Sequence, residues 1–186
     1  MLIIGITGTL GAGKGTIVEF LVREKNFVHY SVREFLTEEL NRLGTEVNRD
    51  NMVVIANELR KKHSPSYIVE QLFERASLSG NNCIIESIRT PGEVESLKNK
   101  GNFYLFAVDA LSKLRYNRIL IRNSETDNVS YDTFIKNELR EMDSDDPNKQ
   151  NLKKCISLAD FIFENNGTIE DLNKEVEKAL NTINKN

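Results

Sequence analysis

Leu2, Ile3, Ile4 and Ile6 form an apolar run broken only by Gly5, and more glycines follow at once, which predicts a buried strand entering a glycine turn. From Lys14 the spacing becomes helical, with Ile17, Phe20 and Leu21 on one face and Glu19, Arg23 and Glu24 on the other. Phe27 to Tyr30 is a second short strand candidate. Ser31 with Glu34 predicts a capping box opening a helix whose stripe is Val32, Leu36, Leu40 and Leu43, with Gly44 as its stop. Asn51 to Lys62 places Met52, Ile55, Ala56 and Leu59 at helical spacing, and Pro65 starts another helix through Ile68, Leu72 and Ala76 up to Gly80. These consecutive helices form an insert between strands.

Cys83 to Ile85 reads as a central buried strand, followed by Thr90 as a cap, Pro91 at the first helical position and Glu93 closing the box. Asn102 to Asp109 predicts a strand and Leu111 to Arg122 a helix; the polar stretch from Asn123 to Val129 predicts a mobile loop. Helical spacing resumes over Tyr131 to Met142 and Asn151 to Leu158, on either side of an acidic run from Asp143 to Pro147 that reads as a solvated loop. Phe161 to Glu164 predicts the last strand, turning at Asn166-Gly167 into a helix capped by Thr168 and carrying Leu172, Val176, Leu180 and Ile183. Five strands alternating with helices predict an α/β fold: a parallel sheet covered by helices on both faces, with ligand bound beyond the carboxyl ends of the strands.

A chain of 186 residues fits one domain over 1–186. Its 39% hydrophobic and 28% charged residues exclude wholesale disorder. With 25 Lys+Arg against 28 Asp+Glu, the net charge of -3 argues against a nucleic-acid partner. No apolar run approaches the length needed to cross a bilayer, so no membrane partner is expected. Cys83 and Cys155 lack the spacing of a zinc or redox motif, consistent with a reduced, cytoplasmic protein. The expected assembly is a monomer or a homodimer, a choice the sequence leaves open.

The candidate chemistry lies in Gly8-Thr9-Leu10-Gly11-Ala12-Gly13-Lys14, which satisfies G-x-x-x-x-G-K directly after a predicted strand and directly before a predicted helix. Backbone N–H groups must turn inward around phosphate oxygens, and a Cβ would obstruct that turn. Lys14 adds a full positive charge and the helix N-terminus a partial one. A glycine turn that only joins strand to helix would need neither the lysine nor the flanking elements. The loop therefore predicts a P-loop NTPase three-layer sandwich that binds a nucleoside di- or triphosphate through Gly8, Leu10, Gly11, Ala12, Gly13, Lys14, Gly15 and Thr16, without fixing the reaction. Position 15 is Gly where this motif usually has Ser or Thr, so the hydroxyl expected near Mg²⁺ is displaced to Thr16.

The ending Gly13-Lys14-Gly15-Thr16 resembles the adenylate kinase group of P-loop nucleoside monophosphate kinases. Glu86-Ser87-Ile88-Arg89-Thr90 resembles that group's segment after the strand, where an arginine holds the acceptor's phosphate, with Ser87 standing where the group has glycine. Arg118-Ile119-Leu120-Ile121-Arg122 resembles the arginine pair that opens the lid, one covering the donor base and one reaching the transferred group. Asn48-Arg49-Asp50-Asn51 and Asn57-Glu58-Leu59-Arg60 are more similar to a divergent branch near deoxynucleotide kinases and dephospho-coenzyme A kinases. The resemblance implies an acceptor-binding helical insert at about 31–80, a short lid at about 118–142, and ATP with Mg²⁺ as donor. It also implies a small-molecule nucleotide acceptor, a deoxynucleotide among the candidates.

In that scheme Lys14 bridges the donor's terminal phosphates, Arg122 meets charge on the transferred group, Arg118 lies over the donor base and Arg89 grips the acceptor phosphate. Arg33, Arg49 and Arg60 sit on the insert as further acceptor contacts. Guanidinium suits these roles because it stays charged and can bind two phosphate oxygens at once. Each arginine has an alternative as a surface or ion-paired side chain, and Arg115 reads as a surface residue. Glu86, a carboxylate after apolar residues, needs a partner: a Mg²⁺ water shell, the acceptor, or a salt bridge to Arg89 or Lys14. His29 and His63 offer no metal or triad spacing and read as structural. Two other functions stay open: dephospho-coenzyme A kinase, with Glu86 as base toward a ribose hydroxyl, and a nucleotide-gated binding protein that hydrolyses ATP slowly.

Overall fold

The structure is a computed structural model that describes residues 1–123 and 129–185. Five strands, β1 (Ile3–Gly8), β2 (Val28–Ser31), β3 (Cys83–Glu86), β4 (Phe103–Asp109) and β5 (Phe161–Glu164), form one sheet in the order β2-β3-β1-β4-β5, and every pairing is parallel. Helix α1 (Lys14–Lys25) follows β1. Between β2 and β3 run α2 (Val32–Arg42), α3 (Arg49–Lys62) and α4 (Tyr67–Ser79), the expected helical insert. Then come α5 (Pro91–Lys98), α6 (Ser112–Arg122), α7 (Tyr131–Met142), α8 (Leu152–Ser157) and α9 (Ile169–Ile183). The expected mobile loop lies largely outside the described residues.

Strand alternation divides the core between the two faces. Ile3, Cys83, Ile85 and Leu105 pack with Val32, Leu36, Ile68, Leu72 and Val94 of the insert and α5. Ile4, Ile6, Ile84, Phe106 and Val108 face the other way, onto Ile17 and Leu21 of α1 and Leu172, Val176 and Leu180 of α9. Because β1 is central, with β3 on one side and β4 on the other, its carboxyl end opens at the point where the sheet's two halves diverge.

Local signals explain most element ends. The Thr90 hydroxyl accepts from Glu93 N–H while the Glu93 carboxylate accepts from Thr90 N–H, and Thr168 with Asp171 repeats the arrangement at α9. At α2 only half of the expected box forms: the Ser31 hydroxyl accepts from Glu34 N–H at 3.3 Å. Cys83 and Cys155 are free and buried, and burial pushes their thiols up to about 11 and about 12.

One buried ion pair locks the insert to the rest of the fold. Arg60 on α3 donates through Nη2 and Nε to Glu93 Oε1 at 2.8 and 3.1 Å, and both side chains are almost fully buried. The other oxygen, Oε2, accepts from the backbone N–H groups of Arg89 and Thr90 at 2.7 and 3.0 Å. Glu93 therefore caps α5, binds α3 and fixes the backbone of Arg89 at once. Glu93→Ala should cost about 3–5 kcal/mol in denaturant unfolding, because it leaves a guanidinium buried without its counter-charge. Arg60→Met combined with Glu93→Gln should cost less than the sum of the two single changes, whereas strict additivity would show that the two charges do not depend on each other.

Candidate active site

The turn between β1 and α1 has the geometry its composition demands. Gly8, Gly11 and Gly13 take φ of 141°, 77° and 114°, values that L side chains adopt only with strain. At Gly13 space forbids a side chain as well, since a Cβ would stand 2.3 Å from Asn165 Nδ2. That amide, just past β5 and buried, donates to Ala12 O at 2.8 Å and so supports the turn from beneath. Thr9 Oγ1 donates to Asp109 Oδ1 at 2.5 Å, tying the turn to the end of β4. Lys14 Nζ folds over the loop and donates to Gly8 O at 2.9 Å and Thr9 O at 2.8 Å. Burial, assisted by the positive field of Arg89, brings its pKa down from 10.5 to about 8.

The loop forms one wall of a cavity of about 730 Å³, within the range of small-molecule sites. Leu10, Gly11, Gly13, Lys14, Gly15 and Thr16 line it on one side, while Arg118 and Arg122 reach it from α6. Arg33 of α2, Arg49 and Arg60 of α3, Glu86 at the end of β3 and Arg89 beyond it line the rest, over an apolar floor of Val32, Leu36, Met52, Val53 and Ala56. Gly8 and Ala12 do not line it; Ala12 is turned into the core beneath the loop.

Arg49 and Arg89 are held together by Glu141, a residue for which the sequence pattern predicts no role. Near the end of α7 and only 3% exposed, it accepts from Arg49 Nη2 through Oε1 at 2.5 Å and from Arg89 Nη1 through Oε2 at 2.6 Å. Burial alone would push its carboxyl up, but the two guanidiniums outweigh it and hold the group below the usual carboxylate range. Gln150 Oε1 also accepts from Arg89 Nη1, at 3.0 Å. Arg60 is buried against Glu93, with Nη1 left unpartnered among the described residues.

Glu86 pairs with neither Arg89 nor Lys14. His29 Nε2 lies 3.5 Å from Glu86 Oε2, and Ser87 Oγ donates to Oε1 at 3.1 Å. His29, expected to be structural, thus stands beside the site carboxylate. Burial opposes ionisation of Glu86, but His29 and Lys14 together bring its pKa below the usual value, so the carboxylate is charged. Ser87 takes φ 72°, the left-handed conformation that glycine favours, at the position where the resembled group has glycine.

Arg115 corrects another expectation: it is buried, not a surface residue. Its guanidinium donates to Ala110 O at 2.7 Å and Leu10 O at 3.3 Å, pairs with Glu138, and stacks over Phe134. These partners offset the cost of burying the charge, and the residue braces the glycine loop from behind. Arg118 Nη2 donates to Asn165 O at 2.9 Å, and its Nη1 is buried without a partner among the described residues. Asn165, Glu141 and Gln150 carry no motif signal, because each acts on residues 47 or more positions away.

A family model described as an AAA domain matches residues 4–142. A UPF0200 protein of Methanococcus vannielii is 32% identical over 98% of this chain and 99% of its own length. The chain belongs to the UPF0200 family. Another member, from Sulfurisphaera tokodaii, is 28% identical over 97% of each chain. Among solved structures, shikimate kinase from Bacteroides thetaiotaomicron superposes with a TM-score of 0.63 at 16% identity, covering 97% of this chain and 98% of the kinase. A gluconokinase from Sinorhizobium meliloti does so at 0.57 and 9%, covering 98% and 93%. This UPF0200 protein therefore has the fold of P-loop kinases. Among the described residues no helix is long and apolar enough to cross a membrane.

The lowered pKa of Lys14 gives the glycine loop a pH signature. Phosphates placed against Nζ favour the charged amine, so nucleotide binding should take up a proton above about pH 8, and ATP affinity should fall as pH rises through that value. Calorimetry in buffers of different ionisation heat reads this uptake, and Lys14→Met should abolish it. Without nucleotide the sign reverses for stability. The folded state binds fewer protons than the unfolded one between about 8 and 10.5, so stability should rise with pH across that window.

Proposed function

We propose that this protein is an ATP-dependent phosphotransferase whose acceptor carries a phosphate, a nucleoside monophosphate with deoxynucleotides among the candidates. The observation that carries this reading is the convergence of Arg49 and Arg89 on one carboxylate, in the same cavity as the glycine loop and Lys14. Such a transfer asks a protein for alignment and positive charge more than for covalent chemistry. An oxygen of the acceptor's phosphate would attack the γ-phosphorus, the bond to the β-phosphate oxygen would break, and ADP would leave. Lys14 would neutralise the donor's terminal phosphates, Arg122 the group in flight, and Arg89 with Arg49 the acceptor. The apolar residues Val32, Leu36, Met52, Val53 and Ala56 on the cavity wall suit packing against a base.

Mg²⁺ would accompany ATP. No group of three or more His, Cys, Asp or Glu among the described residues could hold a metal ion by itself. The ionised Glu86 and the Thr16 hydroxyl, both on the cavity wall, fit a hydrated ion carried in by phosphates, and the ion would supply charge neutralisation there.

Glu86 also supports a second reading. An ionised carboxylate at the end of a strand, beside His29, suits a base toward a hydroxyl acceptor such as the ribose of dephospho-coenzyme A. ATP consumption measured across a panel of nucleoside monophosphates and dephospho-coenzyme A separates the two. Under the first reading only monophosphates are turned over, Arg89→Ala raises their KM by roughly ten- to a hundredfold with little change for ATP, and Lys14→Ala lowers kcat by on the order of a hundredfold or more. Turnover of dephospho-coenzyme A alone would transfer the catalytic role to Glu86. Tight ATP binding with no acceptor-dependent product would make the protein a nucleotide-gated binder.

A further inference from the structure

We propose that Glu141 and Gln150 are positioning residues that present Arg89 and Arg49 as a preformed receptor for the phosphate group of the acceptor. The inference deepens the monophosphate reading and rests on it for the identity of the acceptor, while anion capture by the arginine pair can be measured separately.

The guanidinium hydrogens divide into an anchored set and a remaining set. Arg89 Nη1 carries two, and both are committed: one to Glu141 Oε2 at 2.6 Å and one to Gln150 Oε1 at 3.0 Å. Nε and Nη2 form the edge that grips two oxygens of a phosphate, and they have no partner among the described residues. The residue itself lines the cavity. Arg49 is anchored differently: Glu141 Oε1 takes its Nη2, one member of the corresponding edge, at 2.5 Å, and its buried Nε has no acceptor among the described residues. The anchors thus take one nitrogen of each guanidinium and leave the Nε/Nη2 edge of Arg89 for a ligand, with Arg49 beside it on the cavity wall.

The backbone of Arg89 is fixed as firmly as its side chain. Its N–H donates to Glu93 Oε2 at 2.7 Å, and its carbonyl accepts from Asn151 N–H at 2.8 Å, so the segment at 150–151 holds both main chain and side chain. Charge balance points the same way. Two guanidiniums brought together in a half-buried cavity repel each other, and the shared carboxylate relieves this while leaving one net positive charge for an incoming anion. A receptor ordered beforehand spares the ligand the entropy of ordering two long side chains.

The test uses inorganic phosphate as the probe, titrated calorimetrically into the full chain with the donor site filled by Mg²⁺ and a non-hydrolysable ATP analogue. Wild type should bind phosphate and Arg89→Met should not. Glu141→Gln, which keeps shape but loses charge, should weaken phosphate binding about tenfold, and Gln150→Ala should weaken it by a few-fold. Affinity for the ATP analogue should stay unchanged in both. In turnover assays Glu141→Gln should raise acceptor KM by a similar factor with a much smaller change in kcat, and Glu141→Asp should recover part of the loss. A merely structural role would lower stability and move all constants together.

Phosphate affinity that is unchanged in Glu141→Gln would overturn the proposal. So would affinity that increases, since Glu141 would then compete with the acceptor for the arginines. A wild type that binds no phosphate also overturns it. Should Glu141→Gln fail to fold, Gln150→Ala, which removes a single neutral contact, decides in its place: a few-fold loss of phosphate affinity supports the receptor and an unchanged affinity overturns it. If phosphate binding responds as expected but no monophosphate is turned over, the acceptor reading fails and the arginine receptor stands.

Discussion

Gathering positive charge in a half-buried cavity is the constraint on which this structure depends. Phosphate chemistry needs cations that are close together and partly dehydrated, and these are the conditions under which they repel each other and resist burial. The chain meets the constraint by giving its buried cations specific oxygens. Arg60 has Glu93, Arg115 has Glu138 and two carbonyls, and Arg49 and Arg89 share Glu141. Lys14 instead folds onto the carbonyls of its own loop and has its pKa lowered. The one cavity cation whose charge is easily lost is thus the one expected to meet the donor's phosphates, which would restore it.

These pairs also organise the fold. Glu93 joins the insert to α5 and to the main chain of Arg89, while Glu141 joins α7 to both α3 and the segment after β3. The elements around the cavity are therefore tied to one another through the side chains that give it its charge. Apolar packing is divided between the faces of the sheet, and the charged network spans the open end. Stability and electrostatics meet at the same few residues, so substitutions there report on both.

How much of this is legible in the sequence follows from the range of the interactions. The strand, glycine loop and helix are readable because their signals lie within a short stretch of neighbouring residues: an apolar run, glycines at turning points and a lysine at a helix start. The parallel sheet with helices on both faces follows from alternation of elements, and capping at Thr90 and Thr168 from three-residue patterns. The partners of the cations are not readable. Glu141 meets Arg49 across 92 positions and Asn165 meets Ala12 across 153, and neither residue type distinguishes such a role from a solvated helix face or a turn. Arg115 misleads for the same reason, since i,i+3 spacing with Arg118 looks like a surface stripe until Phe134 and Glu138 cover it. A usable signal for Glu141 is its place on the packed side of α7, three positions after Glu138.

The alternation along β1 also acts as a ruler. Ile3 belongs to one face of the core and Ile4 and Ile6 to the other, while Gly8, at the end of the same strand, begins the glycine turn. Inserting or deleting one residue within β1 would exchange the faces of its side chains and also advance or retract the turn by about 3.3 Å relative to β3 and β4. Either change would pull Lys14 out of line with Arg89 even if the strand found a new pairing. Length variation in this protein is therefore expected to be confined to loops away from β1, and the strand's length is fixed by two independent demands, packing at one end and the placement of a cation at the other.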